Sequence, residues 1–264
     1  MGSKGFIGSN LVRYLQNKGV ECYCPEIRTE NIAGQHLGHV IYAIGVPDFL
    51  SRPFDAVEAH ICSVKKILTE TTFDSLVYCS GTRVYLENSN TNENTSLSLN
   101  SNKLEHLYNI SKIMGESMCF ATRNPNVKIA RLSNVTGNNF ESNLFIPSII
   151  RDAIKNGKII LKSKFSSNKD YIHIDDVTKI LPKICIDGKN QIYNVASGYN
   201  ISSQEIIDKI TETINVDVEV IPNSPEYSFP KINTTLLKSE FNFQTQNILD
   251  SIPTMVNEFK NHFT

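Results

Sequence analysis

Short runs of β-forming apolar residues alternate with segments of helical periodicity, and this predicts an α/β fold: a doubly wound parallel sheet, as one large domain or with a smaller appendage. Two further observations point the same way. The glycine trio Gly2-Ser3-Lys4-Gly5-Phe6-Ile7-Gly8 opens a helix, and two buried-strand runs, Val40–Gly45 and Ser75–Tyr85, end in small or hydroxylated residues.

The composition narrows the class. The chain has 264 residues, 40% of them hydrophobic and 20% charged, enough for a sizeable core. A net charge of −1 gives no electrostatic footprint for nucleic acid or for an anionic membrane surface. No apolar run approaches ~18 residues and no signal-type segment follows Met1, so a cytoplasmic, unanchored protein is expected. The six cysteines are scattered, and Cys22 and Cys24 alternate like residues on one strand face. They read as reduced thiols, with no metal site.

Taken in order, Gly2, Gly5 and Gly8 allow a tight turn, close approach of a pyrophosphate and close packing of the helix on the sheet. The helix that starts at Phe6 and Ile7 then offers its N-terminal N–H groups to phosphate. Val20–Cys24 alternates as a strand. Glu26 follows Gly8 at close to the ~20-residue spacing of an acidic residue that hydrogen-bonds an adenosine ribose. It favours NAD, with NADP less favoured, although Arg28 stands nearby. A doubly wound sheet requires a strand before the glycine loop, and only Met1 precedes Gly2. The first strand is therefore expected to be missing, leaving Val20–Cys24 and Val40–Ile44 with unpaired edges, weak dinucleotide binding and a tendency to associate; a few β-forming residues are expected to belong before Met1.

Val40–Gly45 reads as a buried strand whose tip, at Ala43 and Ile44, meets the cofactor. A helix is expected from about Pro53 to Leu68, with His60, like His106, a packing or surface residue rather than a ligand. Ser75–Tyr85 delivers hydroxyls at its C-terminal end, and the Asn/Ser-rich stretch 87–103 reads as a mobile loop or lid. Leu104, Leu107, Ile110, Ile113, Met114 and Met118 recur at helical spacing, which places Tyr108 and Lys112, four apart, on one helix face. A lysine ammonium there should lower the tyrosine pKa from about 10 and make Tyr108 a usable acid and base. Beyond a strand at Val127–Leu132, helices are expected at Phe145–Lys155 and Ser202–Ile214.

These pieces resemble the extended short-chain dehydrogenase/reductases, the NAD-dependent epimerase/dehydratase family that acts on nucleotide sugars. The resemblance rests on the glycine loop, Ser80-Gly81-Thr82-Arg83-Val84-Tyr85, Tyr108-x-x-x-Lys112, Arg131-Leu132-Ser133-Asn134-Val135-Thr136-Gly137, Lys169–Val177 and Ile192–Gly198, which occur in family order. It implies a Rossmann-like sheet in a dinucleotide-binding domain at 1–135, and a part at 136–264 that is mainly substrate-binding cap, with 170–178 and 192–196 packing back on the first domain. It also implies NAD, a nucleotide-sugar substrate, and a homodimer as one arrangement. Tyr108 would be the acid/base and Lys112 would bind the nicotinamide ribose; Asn134, Lys169 and Tyr171 would meet the substrate.

Two departures stand out. The family's catalytic Ser/Thr lies three residues before the Val of the Val-Tyr pair, where this chain has Gly81; Thr82, or else Ser80, would have to supply the hydroxyl. The acidic pair of the dehydratase branch is replaced by Thr82-Arg83, which argues against dehydration. The resemblance thus implies a 4-epimerase acting at C4 of an NDP-hexose. A 4-keto-6-deoxy-sugar reductase and a non-catalytic nucleotide-binding protein are the alternatives.

Overall fold

The computed structural model describes residues 1–46 and 48–264. Its nucleotide half runs α1 (Phe6–Gln16), β1 (His39–Tyr42), α2 (Pro53–Val57), a π-helical turn (Glu58–Cys62), α3 (Ser63–Glu70), β2 (Ser75–Gly81), a 3₁₀ turn (Thr82–Tyr85), α4 (Leu107–Ala121) and β3 (Val127–Leu132). There follow β4 (Asn134–Thr136), α5 (Phe145–Asn156), β5 (Lys158–Leu161), β6 (Asn168–His173), α6 (Ile174–Asp187) and β7 (Ile192–Val195). The chain closes with β8 (Asn200–Ser202), α7 (Ser203–Thr213), β9 (Asp217–Val220), α8 (Thr235–Phe241) and α9 (Ile248–Phe263).

The main sheet is four-stranded and parallel, in the order β1-β2-β3-β7. Its strands are apolar on both faces because helices cover both. Val77 and Cys79 of β2 pack with Val177, Ile180, Leu181 and Ile184 of α6. Leu76 and Tyr78, one pleat away, pack with Val64 and Ile67 of α3 and Cys119 of α4. Each fully buried aliphatic side chain here is worth roughly 1.5–3 kcal/mol. Thus β7 joins the first sheet although it lies far along the sequence. The cap has its own core, in which Ile146, Ile150, Ile206, Ile210, Ile252 and Phe259 of α5, α7 and α9 close over the two-stranded β5–β9 sheet. A capping box of Ser202 and Glu205 starts α7. No helix among the described residues is long and apolar enough to cross a membrane.

The N-terminal edge differs from the expected strand pairing. Val20–Cys24 forms no ladder, and Val20 and Tyr23 are 47% and 56% exposed. Alternation records which side chains could be buried, whereas a strand also needs a neighbour for its backbone, and among the described residues none pairs with this segment. Between it and β1 runs an apolar groove of about 440 Å³ lined by Leu11, Leu15, Cys22, Val40, Cys185 and Ile186, among others. Met1 reaches one end of that groove. Its amino group donates to Ile41 O at 2.9 Å, and Ala43 N donates to Met1 O at 3.1 Å, one rung of a parallel pairing on the outer edge of β1.

The loop at 87–103 is tied down rather than lid-like. Thr91 Oγ1 donates to Lys231 O (2.9 Å), Asn194 Nδ2 to Thr91 O (2.8 Å) and Arg131 to Glu93 O (3.1 Å). Low complexity carries no periodicity, but its backbone groups are held by polar side chains from elsewhere in the chain.

Candidate active site

The site forms where β2 ends and α4 passes. Gly81, the last residue of β2, has φ −146° and ψ 147° and leads into the 3₁₀ turn carrying Thr82 and Arg83. A β-carbon built on Gly81 would stand 3.5 Å from Tyr108 Oη, so the strand tip and the phenol are in contact range. Lys112, one turn along α4, is buried at 3% exposure and donates from Nζ to Cys79 O at 2.8 Å; Nζ is 5.9 Å from the Tyr108 ring centre. The sequence-expected pair is thus assembled on one face of α4, against the C-terminal end of the sheet.

The electrostatics differ from the simple expectation. Burial pushes Tyr108 up to about 12, and the cation that pulls it back is Arg83. Burial pushes Lys112 down to about 8, with Glu116 opposing the fall. Lys112 is engaged at a backbone carbonyl, and Arg83 supplies the positive field at the phenol.

The π-helical turn brings in a residue that the sequence placed only as packing. A π-turn offsets the helical hydrogen-bond ladder and leaves carbonyls needing donors. Tyr42 Oη donates to Ala59 O, and Tyr78 Oη donates to His60 O at 3.2 Å. His60 is fully buried, with Nδ1 2.9 Å from Ser111 Oγ and its ring edge-on to Tyr108 at 5.2 Å. Burial, reinforced by Lys112, holds His60 down at about 2, so it stays neutral. Gly115 permits the approach, since a β-carbon there would lie 2.7 Å from His60 O and 2.3 Å from Tyr78 Oη. Phe49 completes the wall, 4.8 Å from the Tyr108 ring with the Arg83 guanidinium 5.5 Å over it.

Of the two candidate hydroxyls, Ser80 is committed elsewhere. It is 4% exposed and donates to Glu116 Oε1 at 2.6 Å, inside a polar network that β2 turns away from Tyr108. There Arg131 holds Glu116 through Nε and Nη2 (Nη2 to Oε2, 2.6 Å) and reaches Tyr85 Oη (2.6 Å), which donates to Asn194 Oδ1 (3.0 Å). The motif residues Arg131, Tyr85 and Asn194 therefore brace the sheet under the site. Thr82 remains half-buried at the strand tip.

The dinucleotide-binding features are also brought together. Gly2 has φ +83°, and a β-carbon there would meet Ala43 C and O at 3.0 Å, so the loop lies on the β1 tip beside Ala43 and Ile44. A β-carbon on Gly8 would lie 2.0 Å from Gly2 O; no larger residue fits without moving the loop. No side chain caps α1 at Gly5, so the helix N–H groups ahead of Phe6 and Ile7 stand open to an anion. Glu26 sits at the mouth of the loop, paired to Lys4 at 2.7 Å. These residues fit an adenine dinucleotide.

The substrate-side expectations divide. Lys169 Nζ lies 5.7 Å and 5.3 Å from the ring centres of Tyr227 and Phe229, and Arg83 helps burial to lower its pKa. Asn134 is exposed, its amide donating to Asp170 O at 2.8 Å. Tyr171, expected at the substrate, is 6% exposed and packs in the cap core, because β6 lies beneath α9 there.

Residues 1–196 match the NAD dependent epimerase/dehydratase family. The chain belongs to that family. No curated protein matches it by sequence. Among solved structures, it resembles an NAD-dependent NDP-hexosamine 5,6-dehydratase of tunicamycin biosynthesis with 20% identity and a TM-score of 0.83, over 100% of this chain and 97% of that one. A UDP-N-acetylglucosamine 4-epimerase from Methanobrevibacter ruminantium M1 superposes with a TM-score of 0.80 at 17% identity, over 99% and 97%. A UDP-glucuronic acid 4-epimerase from Bacillus cereus, in complex with UDP-glucuronic acid and NAD, gives 0.79 at 15%, over 99% and 98%. At these identities the likeness establishes a shared Rossmann-type epimerase/dehydratase fold over the whole chain.

Proposed function

We propose that this member of the epimerase/dehydratase family is a 4-epimerase of a nucleotide-linked hexose. The observation that carries the reading is the buried Tyr108–Lys112 pair at the tip of β2, with the glycine loop at the tip of the neighbouring strand. NAD, when bound, supplies the chemistry of accepting a hydride from a sugar carbon and giving it back.

The chain's own residues do the rest. The Gly2–Gly8 loop and the N-terminus of α1 hold the pyrophosphate, and Glu26 meets the adenosine ribose. Lys112 meets the nicotinamide ribose. Tyr108 Oη takes the proton of the C4 hydroxyl as C4 is oxidised and returns it when C4 is reduced from the opposite face. In this reading Thr82 donates to the same oxygen. Asn134 and Lys169 meet the nucleotide diphosphate side. A dehydratase would need an acid and a base where Thr82 and Arg83 stand, and neither can take a proton at neutral pH. Gly81 favours a second reading, a nucleotide-binding protein without turnover, because the usual hydroxyl is absent beside Tyr108.

Purified protein with NAD and UDP- or dTDP-linked hexoses tests the readings. A 4-epimerase interconverts C4 epimers with no net change in NADH absorbance, whereas a 4-keto-sugar reductase oxidises NAD(P)H stoichiometrically. Tyr108→Phe should cut turnover by roughly 10²- to 10⁴-fold and leave substrate binding within a few-fold. Turnover within a few-fold of wild type would remove Tyr108 from the chemistry, and binding without turnover in the wild type would favour the second reading.

A further inference from the structure

Arg83, which lends Tyr108 its positive field, is the charged group of the site to which the proposed epimerase chemistry assigns no ligand. It leaves β2 two residues after Gly81, and its guanidinium stacks on Phe49, which in turn packs on Tyr108. Its Nε is buried and has no hydrogen-bond partner among the described residues. Burial lowers the Arg83 pKa, and Tyr108 and then the exposed Glu105 oppose the fall. The buried Arg131 shows what a guanidinium inside the fold ordinarily requires. Arg131, at 3% exposure, holds Glu116 through Nε and Nη2 and directs Nη1 to Tyr85 Oη and Glu93 O. A planar guanidinium beside the phenol with an unfilled donor fits a planar anion brought by a ligand.

We propose that Arg83 receives a carboxylate carried by the sugar next to the carbon on which Tyr108 acts, which makes the preferred substrate an NDP-hexuronate rather than a neutral NDP-hexose. The proposal rests on the epimerase reading for the placement of C4 at Tyr108. In a hexuronate the carboxylate is attached to C5, the neighbour of C4. An anion at that point falls beside the guanidinium that shares a wall with the phenol. The diphosphate has a separate cation in Lys169, held by Tyr227 and Phe229. Arg83 lies close enough to Lys169 to add to the burial that disfavours the Lys169 charge. Two anions on one ligand, carboxylate and diphosphate, relieve that repulsion together; a neutral sugar leaves the Arg83 side unrelieved.

The test is calorimetric titration of the full chain, with NAD present, against UDP-glucuronate, UDP-glucose and UDP and against the matching dTDP series. Wild type, Arg83→Gln and Arg83→Lys are compared. In the accepted nucleotide series the wild type should bind the hexuronate at least tenfold tighter than the hexose. Arg83→Gln should erase that preference by weakening the hexuronate alone, with the hexose and the free nucleotide changed less than twofold. Arg83→Lys should recover part of the preference. Equal wild-type affinity for hexose and hexuronate overturns the proposal without needing any variant. Equal weakening of all three ligands by Arg83→Gln also overturns it, and assigns Arg83 to the diphosphate while leaving the nucleotide-sugar reading standing. If neither series binds, the nucleotide-sugar reading falls and this proposal with it.

Discussion

Gly81→Ser is a substitution for which the structure predicts a gain. The backbone at Gly81, with φ −146° and ψ 147°, is extended and open to any L-residue, so no strain opposes the change. The added β-carbon would lie 3.5 Å from Tyr108 Oη and 3.7 Å from Leu132 O, both ordinary contacts. A hydroxyl one bond further is then within reach of the oxygen that Tyr108 deprotonates. Removing one well-placed donor to a developing oxyanion typically costs ~10²–10³ in kcat. Supplying one to a site not shaped around it should recover a part, about tenfold or more, which is about 1.4 kcal/mol of transition-state stabilisation. Replacing glycine where its special conformations are unused also trims unfolded-state entropy, worth roughly 0.4–1 kcal/mol of stability. Steady-state epimerisation with NAD should therefore show a raised kcat with KM changed little, and urea denaturation should show equal or higher stability. A folded Gly81→Ser protein with unchanged or lower kcat would refute the reasoning: the missing hydroxyl would then not be what limits this site.

Other substitutions test the remaining parts of the structure. Gly8→Ala drives a methyl to 2.0 Å from Gly2 O; NAD affinity, measured by nicotinamide-quenched fluorescence, should fall by about 1.4 kcal/mol or more, tenfold in Kd, and unchanged affinity would show the loop has another resting place. Glu116→Ala leaves the buried Arg131 guanidinium without its carboxylate and should cost ~3–5 kcal/mol in urea unfolding; a loss below about 1 kcal/mol would mean water replaces the partner. Lys112 has its pKa lowered from 10.5 to about 8 in the folded protein. The unfolded chain therefore holds the proton more tightly, and the penalty is complete below about pH 8 and fades as pH rises towards 10.5. Lys112→Met should accordingly be more stable than wild type at pH 7 by up to about 3 kcal/mol, with the difference shrinking at pH 10; a difference independent of pH would place the penalty in packing instead.

How much of this could be read from the chain depends on what each signal measures. The Tyr108–Lys112 spacing, the α4 periodicity and the apolar β1–β3 runs report side-chain burial directly, and the structure has those elements where they were expected. Val20–Cys24 alternates equally well but lacks a neighbour, and backbone pairing is not written in a segment's own side chains. The π-turn at Glu58–Cys62 was hidden for the same kind of reason. It is held by hydroxyls of Tyr42 and Tyr78, from two different strands, so no local pattern announces it. Ser80 and Arg83 exchange their apparent importance because strand pleat and network, rather than distance along the chain, decide which side chain meets Tyr108. The one local hint was Arg83 itself, a cation two residues beyond the tip of a strand buried along its whole length.

The rung made by Met1 on β1 has a dynamic consequence. The glycine loop begins at the very next residue, so fraying of that rung and loosening of the phosphate-binding turn are one opening event. Amide protons at Ala43, bonded to Met1 O, and at Gly5, bonded to Gly2 O, should then exchange with solvent together. A dinucleotide that binds only the closed form would slow both by the same factor, about a hundredfold when present at a hundred times its dissociation constant. Hydrogen exchange at the edge of the sheet thereby becomes a gauge of cofactor occupancy at the far side of the loop.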